Sequence, residues 1–334
     1  MTAIKTPTAA PTGIPSPQTG VILANLAYSN QLATDLQTAL PNWTLEWQGT
    51  VTTDGNTAFI ASDPSGEYYA LAFRGSLPPF DVLKDWNAFA NWILEDMDVI
   101  TEQPWPYVSA GNTANISNGA NTAFNNVLAM TNEISGGSTD SILTYLQTNA
   151  VNNQKTVIIA GHSLGGNIAN VYASYFASSN AGFNNIYLYT YAAPAPGDSG
   201  FAQDLDNKIA NAWHYENLND IVPKFPVTIS IILGAVFLYS PAPYSGDITT
   251  TYKGLTVSLR DGILLLAGAL SLYGYTQQAL NYQTFPNPLD LTYETNTMED
   301  WFEQAGAQHA LPNYATYLGV TLQPINSNSP FAAT

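Results

Sequence analysis

The chain has 334 residues, 46% of them hydrophobic, which is enough for a large core and too much for a mostly disordered chain. Eight Lys and Arg stand against 25 Asp and Glu, a formal charge of −17. That balance excludes the clustered bases a nucleic-acid partner needs and disfavours an anionic membrane surface, though not an uncharged interface. Cys is absent, so disulfides, thiol catalysis and zinc–thiolate sites are excluded.

Residues 1–20 are rich in Pro, Thr and Ala, with one Lys and no apolar run of signal-peptide type. They are expected to form a flexible lead-in to a single domain over 21–334. The compartment stays open between cytoplasm and export by another route. Helical patterning runs from Val21 to about Leu40 and stops before Pro41. Ala58–Gly75 reads as a hairpin: AFIAS and YYALAF are strand-like, and DPSG between them is turn chemistry. Val82, Trp86, Phe89 and Ile93 recur at spacings of 4, 3 and 4, which predicts a short amphipathic helix near Asp81–Asn91. Further helices are predicted over Asn121–Glu133 and Asp140–Gln147, with Ser138 as N-cap of the second.

Thr156–Ala160 is a short β-branched apolar run, followed by Gly161-His162-Ser163-Leu164-Gly165-Gly166 and a helical pattern over Asn167–Ser178. Strands are predicted at Ile186–Tyr191 and Ala212–Asn217. Such alternation argues for βαβ units and a mostly parallel sheet flanked by helices. Two apolar stretches, Val227–Tyr239 and Gly262–Tyr275, fall short of the ~18 residues of a membrane span. They are expected as buried helices or strands, with a lipid-facing role as the other reading.

Gly161-His162-Ser163-Leu164-Gly165 fits G-x-S-x-G between a strand and a helix pattern, the context that makes a nucleophile turn. Ser163 would sit on a strained bend, with glycines letting strand and helix approach and the helix N-terminus favouring an oxyanion. A serine hydroxyl needs a base. His162 is adjacent and should diverge, and His214 lies in a strand pattern, so both read as structural. His309, in Ala307-Gln308-His309-Ala310-Leu311-Pro312, has a loop context and leaves room for an acid in the order Ser, Asp, His. Asp220, after the strand ending at Asn217, is the preferred acid; Asp198 is the rival. The oxyanion donors would be the N–H groups of Leu164 and Ser76, while Arg74 reads as an ion-paired structural residue.

YYALAFRGS, AGHSLGG, YTYAAPAPGD, NLNDIVPKFP and GAQHALPNY occur in this order. Together they make the chain resemble the class 3 (fungal-type) triacylglycerol lipases, over about Val21 to Tyr317 minus a central insertion. The resemblance implies an α/β-hydrolase-like sheet with Ser163 as nucleophile, Asp220 as acid and His309 as base. Ser76 matches the family's small hydroxyl residue at the oxyanion site. A lid helix is implied at Phe80–Asn91, and Trp86, Phe89 and Trp92 would cover the site when closed and face lipid when open. The spacing of 89 positions from Asp220 to His309 is long for the family, and the excess lies in an insertion or cap at about 227–288. That insertion is open to three readings: a cap, a pocket wall or a lipid contact.

The expected activity is a serine carboxylester hydrolase acting on acylglycerols or other lipid esters at a lipid–water interface. No cofactor, catalytic metal or transmembrane segment is expected. Phospholipase A1 or galactolipase activity on the same scaffold, a non-catalytic lipid-binding protein and an acyltransferase are the alternatives. Asp96/Asp98 and Asp204/Asp206 read as solvated or structural.

Overall fold

The computed structural model describes residues 9–75, 90, 98–252 and 255–334. Its centre is a seven-stranded sheet in the order β1 (Thr44–Gln48), β2 (Ala58–Ser62), β3 (Tyr68–Phe73), β6 (Thr156–His162), β7 (Ile186–Tyr191), β8 (Ala212–Asn217) and β11 (Tyr282–Phe285). The first three strands pair antiparallel; from β3 to β11 every pairing is parallel. The expected hairpin is β2–β3, and the edge strand β1 is an addition to the predicted elements.

Strand β6 shows why its sequence is apolar throughout. Val157 and Ile159 pack on one side of the sheet with Ile168, Tyr172 and Phe176 of α5 (Leu164–Ser179). Ile158 and Ala160 face the other side, against Val21 and Ala24 of α1 (Pro17–Leu26) and Tyr314 of α10 (Leu311–Tyr317). A parallel strand covered on both faces has no polar side to show.

The single helix predicted over Val21–Leu40 is two, α1 and α2 (Leu32–Ala39). Ser16 caps α1 by accepting from the Thr19 N–H, with Pro17 next, so the helix begins inside the expected lead-in. Ser29 breaks the run: its hydroxyl donates to Asp35 and accepts from the Gln31 N–H. Helix α3 (Asn118–Leu128) ends before Asn132, whose carboxamide oxygen accepts from the N–H groups of Gln48 and Ile134. Ser141, not Ser138, caps α4 (Ile142–Asn149) by accepting from the Thr144 N–H. Asp198 caps α6 (Ser199–Lys208), and two short ribbons, β4 (Glu102–Pro104) with β5 (Asn115–Ser117) and β9 (Thr249–Tyr252) with β10 (Leu255–Ser258), complete the strands.

Between β8 and β11 the chain leaves the sheet. Helices α7 (Thr228–Leu233) and α8 (Leu259–Leu270) pack with α9 (Met298–His309) around Ile231, Ile263, Leu266, Leu270, Trp301 and Phe302. Residues 282–285, inside the expected insertion, return to the sheet beside β8. No helix among the described residues is long and apolar enough to cross a membrane.

Candidate active site

Three glycines make the turn after β6 possible. A Cβ on Gly161 would stand 2.2 Å from the Gly165 carbonyl oxygen, one on Gly165 2.3 Å from that of Phe73, and one on Gly166 2.7 Å from the Ala193 Cβ. Strand, turn and helix are therefore in backbone contact. Ser163 sits at the bend with φ 59° and ψ −133°, a conformation that costs a side-chain-bearing residue roughly 1–3 kcal/mol. The surroundings hold it there: its N–H donates to the Tyr191 carbonyl at 2.9 Å, and its own carbonyl accepts from Gly166 and Asn167. Its hydroxyl makes no cap bond to α5, which leaves it for another partner.

That partner is His309. Its Nε2 lies 2.9 Å from Ser163 Oγ and its Nδ1 lies 2.8 Å from Asp220 Oδ2. A carboxylate only accepts, so Nδ1 carries the proton and Nε2 is left to accept from the serine hydroxyl. His309 was expected in a loop. It is the last residue of α9, where the following Ala310 turns to extended backbone before α10 begins. Asp220 follows β8 in a turn closed by its N–H to the Asn217 carbonyl. Its Oδ1 accepts from the Val222 N–H at 2.9 Å, and its Oδ2 accepts also from the Tyr314 hydroxyl at 2.7 Å. Burial first, then the Asp220 charge, push the Tyr314 phenol well above its ordinary range and keep it a donor. Asp220 is 0% exposed, His309 3% and Ser163 5%, so the three groups meet away from bulk water.

His162 is structural in a specific way. Burial, and next the His309 ring, hold its imidazole well below the usual range, so it is neutral with one N–H. Nε2 lies 2.9 Å from the His309 backbone carbonyl, which can only accept, so Nε2 is the donor. Nδ1 then accepts from the Tyr28 hydroxyl at 2.9 Å. The residue beside Ser163 thus holds the backbone of His309. His214, as expected, is packed: Nδ1 pairs with Thr190 Oγ1 at 2.7 Å, and burial pushes its pKa down to about 3. The rival acid Asp198 is occupied at the start of α6, accepting from Phe201 and Asn115. Arg74 donates to the Gly55 carbonyl and makes no ion pair among the described residues, contrary to expectation. Asp204 pairs with Lys208, and Asp206 accepts from the N–H groups of Ala279 and Leu280.

Leu164 opens α5, and its N–H is one of the first-turn donors that no helix satisfies internally. Gly75 closes on this point: a Cβ there would be 2.8 Å from the His162 carbonyl and 3.1 Å from the Ser163 Cβ. The next residue, Ser76, lies outside the described residues, as do Trp86, Phe89, Trp92 and all of the expected lid except Ala90, as well as Asp96. Tyr28 and Tyr314 were not singled out in the sequence. Tyr314 stands in the GAQHALPNY motif, five residues after His309, and that proximity was the available signal.

Residues 70–229 match the family model described as Lipase (class 3). The fold matches the crystal structure of M37 lipase with a TM-score of 0.71 at 18% identity, over 94% of this chain and 96% of that one. Lipase II from Rhizopus niveus aligns with a TM-score of 0.49 at 17% identity, over 64% of this chain and 75% of that one. The triacylglyceride lipase of Rhizomucor miehei gives 0.45 at 20% identity, over 63% and 73%. The M37 likeness shows a shared fold across nearly the whole chain.

Proposed function

We propose, from the match of residues 70–229 to the class 3 lipase model and from the geometry of the site, that the protein is a serine carboxylester hydrolase cleaving acylglycerol esters through an acyl-enzyme on Ser163. The observation that carries the proposal is the unbroken chain from Ser163 Oγ to His309 Nε2 at 2.9 Å and from His309 Nδ1 to Asp220 Oδ2 at 2.8 Å.

As Oγ attacks the ester carbonyl carbon, His309 Nε2 takes the hydroxyl proton. The imidazolium so formed stays on Asp220, whose carboxylate fixes the tautomer and remains ionised. Negative charge gathers on the carbonyl oxygen. The Leu164 N–H at the start of α5 is one donor for it, and Ser76 is assigned the second. When the C–O bond breaks, Nε2 returns the proton to the leaving alcohol. Water then enters, gives its proton to His309 and attacks the acyl carbon, and Oγ departs as it recovers that proton. Trp86, Phe89 and Trp92 are assigned to the cover of the acyl site, open at a lipid–water interface.

A fluorophosphonate probe tests the central role. The wild-type chain is expected to label at Ser163 and Ser163→Ala to lose the label. Failure of the folded wild-type protein to label, or equal labelling of both, would refute the mechanism. Long-chain triacylglycerol, phosphatidylcholine and galactolipid offered side by side identify the ester class. Faster turnover of either polar lipid than of triacylglycerol would replace the acylglycerol assignment.

A further inference from the structure

Helix α7, and α8 beyond the Arg260–Asp261 pair of its first turn, are largely apolar on both sides, although each has only one side in the core. On α8, Ile263, Leu266 and Leu270 point inward, while the outward positions 264, 265, 268, 269 and 272 are Leu, Leu, Gly, Ala and Leu. On α7 and just beyond it, Ile231 points inward, while Ile229, Leu233 and Phe237 point outward. Leu233 is 70% exposed and Leu272 87%. Eight of the fourteen exposed large hydrophobic residues among those described fall within 229–272. A surface helix ordinarily turns a polar face to water, and apolar residues gathered in this way mark a contact surface.

Charge selects the occupant. Neither 225–246 nor 262–289 contains an Asp, Glu, Lys, Arg or His. Helices that lie on anionic bilayers carry Lys and Arg along their polar face. This face has a single cation, Arg260 in the first turn of α8, and it is offset by its ion pair with Asp261; with the whole chain at −17, an anionic membrane repels it. An uncharged lipid surface meets no such penalty. Position agrees with this choice. The inward sides of α7 and α8 share a core with Ile221, next to Asp220, and with Leu164, next to Ser163. The exposed face is therefore the outer side of helices whose inner side belongs to the same core as the neighbours of Ser163 and Asp220.

We propose that the outward face of α7 and α8, centred on Ile229, Leu233, Phe237, Leu264, Leu265 and Leu272, docks the protein on the surface of an uncharged ester droplet. The proposal rests on the esterase reading for its occupant, but it concerns residues outside the triad and outside the expected lid. It assigns the central insertion to lipid contact.

Flotation with emulsified triolein is the test, performed in a Ser163→Ala background so that the droplets are not consumed. The parent protein is expected to float. Leu233→Asp with Leu265→Asp is expected to lower the floated fraction by about tenfold or more, because two buried apolar contacts become buried charges. The same charges at Val51 and Leu128, exposed apolar residues elsewhere, are expected to leave flotation within about twofold. Near-ultraviolet circular dichroism establishes that each variant is folded, and Leu233→Ser with Leu265→Ser is read in the same way if the Asp pair is not. A parent that stays in the aqueous layer, unchanged flotation of the folded cap variant, or equal loss in the Val51/Leu128 control would overturn the proposal. So would a parent that elutes as a dimer which the cap substitutions split, since the face would then belong to a second copy. Flotation needs no turnover and fluorophosphonate labelling needs no droplet, so failure of this surface and failure of the esterase reading are told apart.

Discussion

At the scale of single residues, the candidate site depends on contacts that surround Ser163, His309 and Asp220. His309 is held at three points: Asp220 at Nδ1, Ser163 at Nε2, and His162 at its backbone carbonyl. His162→Leu removes the third and leaves the Tyr28 hydroxyl without its acceptor. Because displacement of a catalytic group by about 1 Å can cost on the order of 100-fold, kcat for a dissolved ester is expected to fall about 10- to 100-fold with KM little changed. Steady-state kinetics together with a thermal melt check this. A fall in melting temperature with kcat intact would make His162 a packing residue only. Order and motif context single out Ser163, Asp220 and His309 in the sequence, and the structure brings their side chains together. The sequence could not show Tyr28, which precedes His162 by 134 positions and meets it only through the packing of α1 against β6. The reciprocal error was to place His309 in a loop. Trp301 and Ala305 precede it at helical spacing, but Gln304 and Gln308, polar by sequence and buried in the fold, interrupt the apolar face and hide the helix.

At the scale of elements, the nucleophile turn is a close-packing problem before it is a chemical one. Gly165 lies against the backbone of Phe73 and Arg74, with 2.3 Å left for a Cβ. Gly165→Ala must push β3 and α5 apart, and overpacking of this kind costs about 1–3 kcal/mol. The loss is expected in urea denaturation, together with slower fluorophosphonate labelling because the N-terminus of α5 moves. Gly268, on the outward side of α8 with nothing within 4 Å of a Cβ, is the contrast. There Gly→Ala is expected to raise stability by up to about 1 kcal/mol through helix propensity. Equal effects at the two sites would remove the steric account of the turn. Strand β6 and helix α5 were legible because their patterns are continuous and the glycines punctuate them. The break between α1 and α2 was not, since it depends on Ser29 bonding to its own neighbours where helical periodicity continues. The fate of the insertion was also hidden. Its apolar runs predict burial, and periodicity alone does not say that only one side of each helix finds a core.

For the molecule as a whole, acid acts on buried histidines and on surface carboxylates with opposite signs. Lowering the pH protonates some of the 25 Asp and Glu and relieves the self-repulsion of a chain at −17. His214 opposes this. In the native state burial lowers its pKa from 6.5 to about 3, so between these values the unfolded chain binds a proton that the folded chain does not. Stability then rises with pH across that window: the contribution of His214 is fully present above about 6.5 and is lost progressively as the pH falls towards 3. The slope for one such group is about 1.4 kcal/mol per pH unit. His162, lowered in the same direction by burial, adds to it. His214→Asn removes one titrating group while keeping an amide able to pair with Thr190. The substitution is expected to destabilise the protein at neutral pH, because the imidazole packs against Tyr282. The stability gap between wild type and variant is expected to shrink by about 2 kcal/mol between neutral pH and about pH 5. Carboxylate effects are common to both proteins and cancel in that difference. Urea denaturation at the two pH values measures it, and stability curves that run parallel would show that His214 is protonated in the native fold.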